Sequence, residues 1–167
     1  MVRTRFYTAC TIYLTRSNQG TTPALADKGY PGLCLEDAPL GIRFADYVTS
    51  FPAGVNAAAT YVYHLRSLVR GADDAFFSFN RRLIRQRGLY MGREHAGKGI
   101  NIALGPMMNM GRLAQGGRNW EGFGGDPFLT GEASYETILG MQEGGVQACA
   151  KHLVGKCVDV SLFAVPS

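Results

Sequence analysis

Apolar and polar positions alternate weakly around residues 6–14, and the periodicity is then lost to about residue 29. It sharpens at Leu33-Cys34-Leu35, a short apolar run closed by Glu36, Asp37, Ala38 and Pro39. Short apolar runs bounded by turn residues suit buried parallel strands, so a strand is expected over residues 33–37. Phe51-Pro-Ala-Gly54 reads as a bend ahead of the small-residue run 57–60. The spacing then predicts a helix over residues 80–95. Asn80 caps it, Leu83, Ile84 and Met91 lie on one side among arginines, and Gly97 and Gly99 stop it.

Residues 100–104 form the next strand, closed by Gly105-Pro106. The long loop 107–125 follows, with glycine at 111, 116, 117, 122, 124 and 125; a loop of that length in a compact domain is usually functional or disordered. Asp126-Pro127 is a cap followed by proline at the first helical position. That helix is expected to reach about residue 142 through Tyr135, Ile138 and Leu139, and Gly144-Gly145 ends it. Residues 146–150 then form a strand with Lys151-His152 at its carboxyl end. Alternating strands and helices argue for an α/β fold with a parallel sheet.

Sites in parallel sheets lie beyond the carboxyl ends of the strands. Asp37, the loop around Arg118, and Lys151-His152 all fall there. Each also has a plain structural reading. Asp37 suits a turn cap, Arg118 a loop-bracing ion pair with Glu121, and Lys151-His152 a solvated strand end.

Charge and composition narrow the choice further. The formal net charge is +4, and 22 of the 167 residues are glycine, in clusters without a collagen-like period. Arg81, Arg82, Arg85 and Arg87 read as one solvated helix face rather than a nucleic-acid patch, which would want aromatic or Gly-rich elements interleaved. A phosphate-binding module is disfavoured too, since no G-x-x-x-x-G-K-[ST] occurs and Gly116-Gly117-Arg118 does not open a helix. No apolar run approaches the ~20 residues of a membrane span. The threonines and tyrosines of residues 1–14 make a poor signal peptide. Cys10, Cys34, Cys149 and Cys157 show no metal-ligand spacing, so neither a metal nor a cofactor is expected.

Four segments, read in order, carry more. They are Pro31-Gly-Leu-Cys-Leu-Glu-Asp-Ala-Pro-Leu-Gly-Ile-Arg43, Phe51-Pro-Ala-Gly54, Gly116-Gly-Arg-Asn-Trp-Glu-Gly-Phe123 and Ala150-Lys-His152. Asp126-Pro127 with Leu129-Thr-Gly131, and Gly140-Met-Gln-Glu-Gly-Gly-Val146, fit the same pattern. The chain closely resembles the N-terminal catalytic domain of glycoside hydrolase family 3, most of all the fungal β-glucosidases. The resemblance implies part of a (β/α)₈ TIM barrel, with about three of its strands in a chain far shorter than the ~250 residues a barrel takes. It also implies hydrolysis of terminal β-glucosyl residues by a retaining mechanism, with glucose or a β-glucoside as ligand.

By position in the motifs, Asp37 is expected to accept hydrogen bonds from glucose hydroxyls. Arg118, Lys151 and His152 are expected to donate around the ring, with Arg43 a weaker candidate that equally well braces the loop. The nucleophilic Asp and the acid/base Glu of the family are expected outside this chain, which is therefore expected to be inactive alone. Family members are mostly secreted.

The resemblance covers residues 31–155 apart from an insert at 61–78, and leaves 1–30 and 156–167 unmatched. Both departures permit a reading as translated intron, because Gly155-Lys156-Cys157 can be encoded across a splice donor. The insert is accordingly expected to sit outside the sheet. An open barrel fragment is also expected to aggregate through uncovered edges. The family implies that Cys34 pairs with an upstream cysteine, but Cys10 lies in the unmatched segment, so no pairing is expected here.

Overall fold

The computed structural model describes residues 20–60 and 80–152. The readings placed on residues 1–19, 61–79 and 153–167, including the packing of the insert, lie outside the described residues.

A four-stranded sheet runs in the order β1 (Gly20–Thr22), β2 (Leu33–Asp37), β3 (Ile102–Leu104), β4 (Gln147–Ala148). The three later strands are parallel; β1 is antiparallel to β2, with Thr21 opposite Cys34. The sheet is therefore mixed rather than wholly parallel. The missed strand is three residues long and half exposed, too short and too wet to leave a period.

Three helices accompany the sheet. They are α1 (Gly54–Ala58), α2 (Arg81–Gly97) and α3 (Pro127–Glu143). Both long helices begin where the caps predict. The Asn80 carboxamide accepts the Leu83 N–H, and the Asp126 carboxylate accepts those of Phe128 and Leu129. The bend after Phe51 turns out to open the short helix α1, which the small residues at 57–60 disguised.

Beneath the sheet, Cys34, Ala38, Ile42, Ile100, Ala103, Met141 and Val146 form one core cluster. A second joins the helices to the long loop through Ala57, Ala58, Ile84, Phe123 and Ala133. Cys34 is disulfide-bonded, contrary to expectation, with its partner outside the described residues.

The buried side of α3 is Thr130, Ala133, Ser134, Thr137, Gly140 and Met141, while Tyr135 is exposed. Small residues let α2 and α3 touch backbone to backbone. A methyl at Gly88 would sit 2.6 Å from the Thr137 carbonyl oxygen, and one at Gly144 2.7 Å from that of Leu89. Of the apolar positions taken from the sequence, Ile84 and Met91 on α2 are buried as expected, Ile84 in one cluster with Ala133 of α3, while Ile138 and Leu139 stay partly exposed. Leu83 on α2 is likewise exposed.

Arg87 departs from the solvated-face reading. It is buried, and its guanidinium donates to the carbonyls of Pro52 (2.8 Å) and Pro39 (2.7 Å). Burial pulls its pKa down to about 10, so it stays charged at neutral pH and ties α2 to both ends of the loop between β2 and α1. Arg81 and Arg85 follow the expectation, lying on the surface and paired with Glu132 and Glu143.

Candidate functional site

Side chains alternate across β2, so Cys34 and Glu36 share one face while Leu35 and Asp37 share the other. Asp37 is the last residue of the strand and stands opposite Leu104, the last of β3. Its backbone is fixed on both sides, because the Glu36 side chain accepts its N–H at 3.1 Å and Ala38 N–H reaches the Leu104 carbonyl.

Two cations converge on the Asp37 carboxylate. Arg43 Nη1 lies 2.8 Å from Oδ2, and Lys151 Nζ donates to Oδ1. The Asp37 and Lys151 side chains are only 10% and 12% exposed, whereas Arg43 is 38% exposed. The Lys151 bond thus works in the drier surroundings, where charge pairs are stronger. Each carboxylate oxygen still has a lone pair to spare for a hydroxyl proton.

Lys151 reaches this place because β4 continues past its two strand residues. Cys149 N–H bonds the Ala103 carbonyl, Lys151 N–H the Pro106 carbonyl, and Met108 N–H the Lys151 carbonyl. The extended strand expected over residues 146–150 is therefore a shorter ladder with a tail that runs beside β3. The Gly105–Pro106 and Lys151–His152 peptides are both cis.

His152 is held by a residue that the sequence did not single out. Asn109 Oδ1 accepts the His152 backbone N–H at 2.6 Å and lies 3.2 Å from the ring Nδ1. An oxygen acceptor there requires Nδ1 to carry the proton. Asn109 follows the carboxyl end of β3, so the strand-end rule that picked out Asp37 and Lys151 would have found it too.

Arg118 is clamped by Glu121 through two bonds, Nε to Oε1 at 2.6 Å and Nη2 to Oε2 at 2.9 Å. Glu121 is buried, so the loop-bracing reading describes this pair. The brace shapes the site nonetheless. Its loop packs on the Asn109 segment, where a methyl at Gly122 would meet the Asn109 carbonyl oxygen at 2.9 Å. Gly111 N–H closes the loop by bonding the Gly124 carbonyl. Direct contacts thus gather Asp37, Arg43 and Lys151; His152 adjoins them through Lys151 and Asn109; Arg118 is fixed within its own loop.

Glu36 lies directly behind the carboxylate. It has no solvent exposure, and its Oε2 has no hydrogen-bond partner among the described residues. Burial pushes its carboxyl up to about 7; the Asp37 N–H opposes the rise, the Asp37 charge adds to it, and Arg43 lowers it.

The two Asp37 carboxylate oxygens are thus each bound by one cation at a strand end. The family model described as glycosyl hydrolase family 3 N terminal domain matches residues 30–161. The chain is 48% identical over 136 residues to a protein named probable beta-glucosidase L from Aspergillus terreus, covering 81% of this chain and 16% of that protein. It is 46% identical over 137 residues to probable beta-glucosidase G of Aspergillus flavus, covering 81% and 15%. It therefore spans about one-sixth of the length of these curated relatives.

Among solved structures, the beta-glucosidase D2-BGL of Chaetomella raphigera superposes with a TM-score of 0.71 at 41% identity, over 89% of this chain and 19% of that one. Beta-glucosidase 3B of Thermotoga neapolitana, solved with α-D-glucose, gives 0.69 at 31% identity, over 83% and 18%. The frame, the order of its motifs and this degree of identity place the chain in glycosyl hydrolase family 3, through that family's N-terminal domain.

Proposed function

We propose that this chain is the sugar-holding portion of a β-glucosidase-type catalytic domain, a partial (β/α)₈ barrel that grips the terminal glucosyl unit and contributes neither catalytic carboxylate. The observation that carries this reading is the Asp37 carboxylate held between Arg43 and Lys151 at a strand end. Such a carboxylate accepts hydroxyl protons and the cations supply donors around a ring, while His152, with its Nδ1 proton turned to Asn109, offers Nε2 as an acceptor. Arg118 belongs to the same grip through its loop.

Retaining hydrolysis needs two carboxyl groups about 5–5.5 Å apart on either side of the scissile bond. Four of the other acidic groups among the described residues are engaged elsewhere. Glu121 holds Arg118, Glu132 and Glu143 pair with helix arginines, and Glu36 is sealed behind Asp37. This supports binding without cleavage by the chain alone, because contacts that do not strengthen in the transition state leave turnover unchanged.

The test is a glucose titration followed by NMR, together with an aryl β-glucoside assay in host-glucosidase-free protein. Saturable glucose binding that falls at least about tenfold in Asp37→Asn, with no release of the aryl group, is expected. Turnover that vanishes in the variant would show instead that a second carboxylate has been recruited.

The same reading treats residues 61–78 as an addition to the family frame. One contact supports it: Asn80 N–H bonds the Thr60 carbonyl at 3.2 Å, so the chain positions flanking the insert already meet.

A further inference from the structure

We propose that Glu36 in its protonated form is the positioning residue for Asp37, and that its ionisation loosens the Asp37–Arg43–Lys151 cluster and weakens the hold on a hexose. This rests on the sugar-binding reading above and adds a pH dependence to it.

The geometry is specific. Glu36 Oε1 accepts the Asp37 N–H, so the side chain behind the strand sets the backbone from which the binding carboxylate projects. Its other oxygen is buried without a partner among the described residues. A neutral carboxyl tolerates that place far better than a carboxylate, which would leave a charge in a dry site. The rise of the Glu36 carboxyl to about 7 expresses that cost.

The surroundings offer little relief on ionisation. Ala103 stands opposite Glu36 in the β3 register, and Met141 of α3 packs in the same cluster as Ala103. The charges acting on Glu36 are those of Asp37, one residue away, and of Arg43. Arg43 is already committed to Asp37. An ionised Glu36 therefore either draws Arg43 off Asp37 or admits water behind the strand end. Either response moves the carboxylate that Lys151 and Arg43 hold.

His152 is the other group at this site of a type that ordinarily titrates near neutrality, and its share must be separated. Glu36→Gln does so, because the amide oxygen still accepts the Asp37 N–H while nothing ionises. Glucose affinity of the full chain is measured by NMR from about pH 6 to about pH 8.5 in wild type and Glu36→Gln. If only the protonated form binds, wild-type affinity falls by up to about thirtyfold across that range, and the variant loses most of this fall. The Asp37 amide resonance is followed in parallel without sugar, and in wild type it should shift with a midpoint near the Glu36 value.

Equal pH dependence in both proteins would overturn the assignment, as would an Asp37 amide that stays still across the range. A titrating amide without glucose binding at any pH would uphold Glu36 as the residue that positions Asp37 and overturn the sugar reading instead. The wild-type titration requires no variant to fold.

Discussion

Glu36 and His95 have no solvent exposure, yet they pull stability in opposite directions with pH. His95 Nδ1 lies 2.7 Å from the Met91 carbonyl, its Nε2 has no partner among the described residues, and burial lowers its pKa below the ordinary imidazole value. A depressed imidazole adds stability above its unfolded pKa, and that stability is lost as pH falls through the folded value. Glu36 is the reverse. Its raised carboxyl adds stability below the unfolded value of 4.5, lost as pH rises from there to about 7. Chemical denaturation across pH should therefore show Glu36→Gln more stable than wild type by about 3 kcal/mol near pH 8, the gain shrinking to near zero by about pH 4.5. A constant difference at all pH values would mean that the residue acts through packing and not charge. Neither role was legible in sequence. A carboxylate at the end of an apolar run looks like a turn residue until the fold buries it, and the arginine-rich helix face likewise hid the inward Arg87.

Elements were legible where local chemistry marks their ends. Asn80 and Asp126 cap α2 and α3 as expected because a capping side chain acts on its own next turn, and β2 ran over the predicted residues because turn signals bound it. What faces what depends on the partner element, and that was not legible. The α2–α3 contact is made by Gly88, Gly92, Gly140 and Gly144 with small polar neighbours, a stripe without the apolar period that sequence reading seeks. Two substitutions separate these levels. Asp126→Ala should cost about 1 kcal/mol, the usual worth of a cap. Gly140→Ala raises helix propensity by about 1 kcal/mol, yet its methyl would collide with the Arg85 backbone. A net loss of about 2 kcal/mol or more is expected, read by urea unfolding. A stabilised Gly140→Ala would show that the helices can part without cost.

At the scale of the molecule, the gathering of these polar groups at the strand ends was legible through the strand-end rule and the motifs together. Asp37, Lys151 and His152 lie where three parallel strands finish, although the geometry added Asn109 and tied Arg118 to Glu121. The hydrogen bond from Asn80 N–H to the Thr60 carbonyl bears on the whole chain as well. Deleting residues 61–78 leaves Phe79 as a one-residue link, compatible with a bond between the two positions on either side of it. Removing a loop of that length lowers the entropy of closing α1 onto α2, so the deletion should fold and gain about 1–2 kcal/mol. Loss of the folded state in circular dichroism would show that the segment belongs to the frame.

The sheet has one more property, visible in its order β1-β2-β3-β4. Spatial order follows chain order, and the antiparallel β1 closes the outer side of β2. A ribosome releasing this chain would therefore present each strand to a template already made, with the newest strand always at the growing margin. The Asp37 cluster would remain unfinished until Lys151 emerged, more than a hundred residues after the carboxylate that it binds. During synthesis the carboxylate is laid down first, and the cation that holds it arrives last.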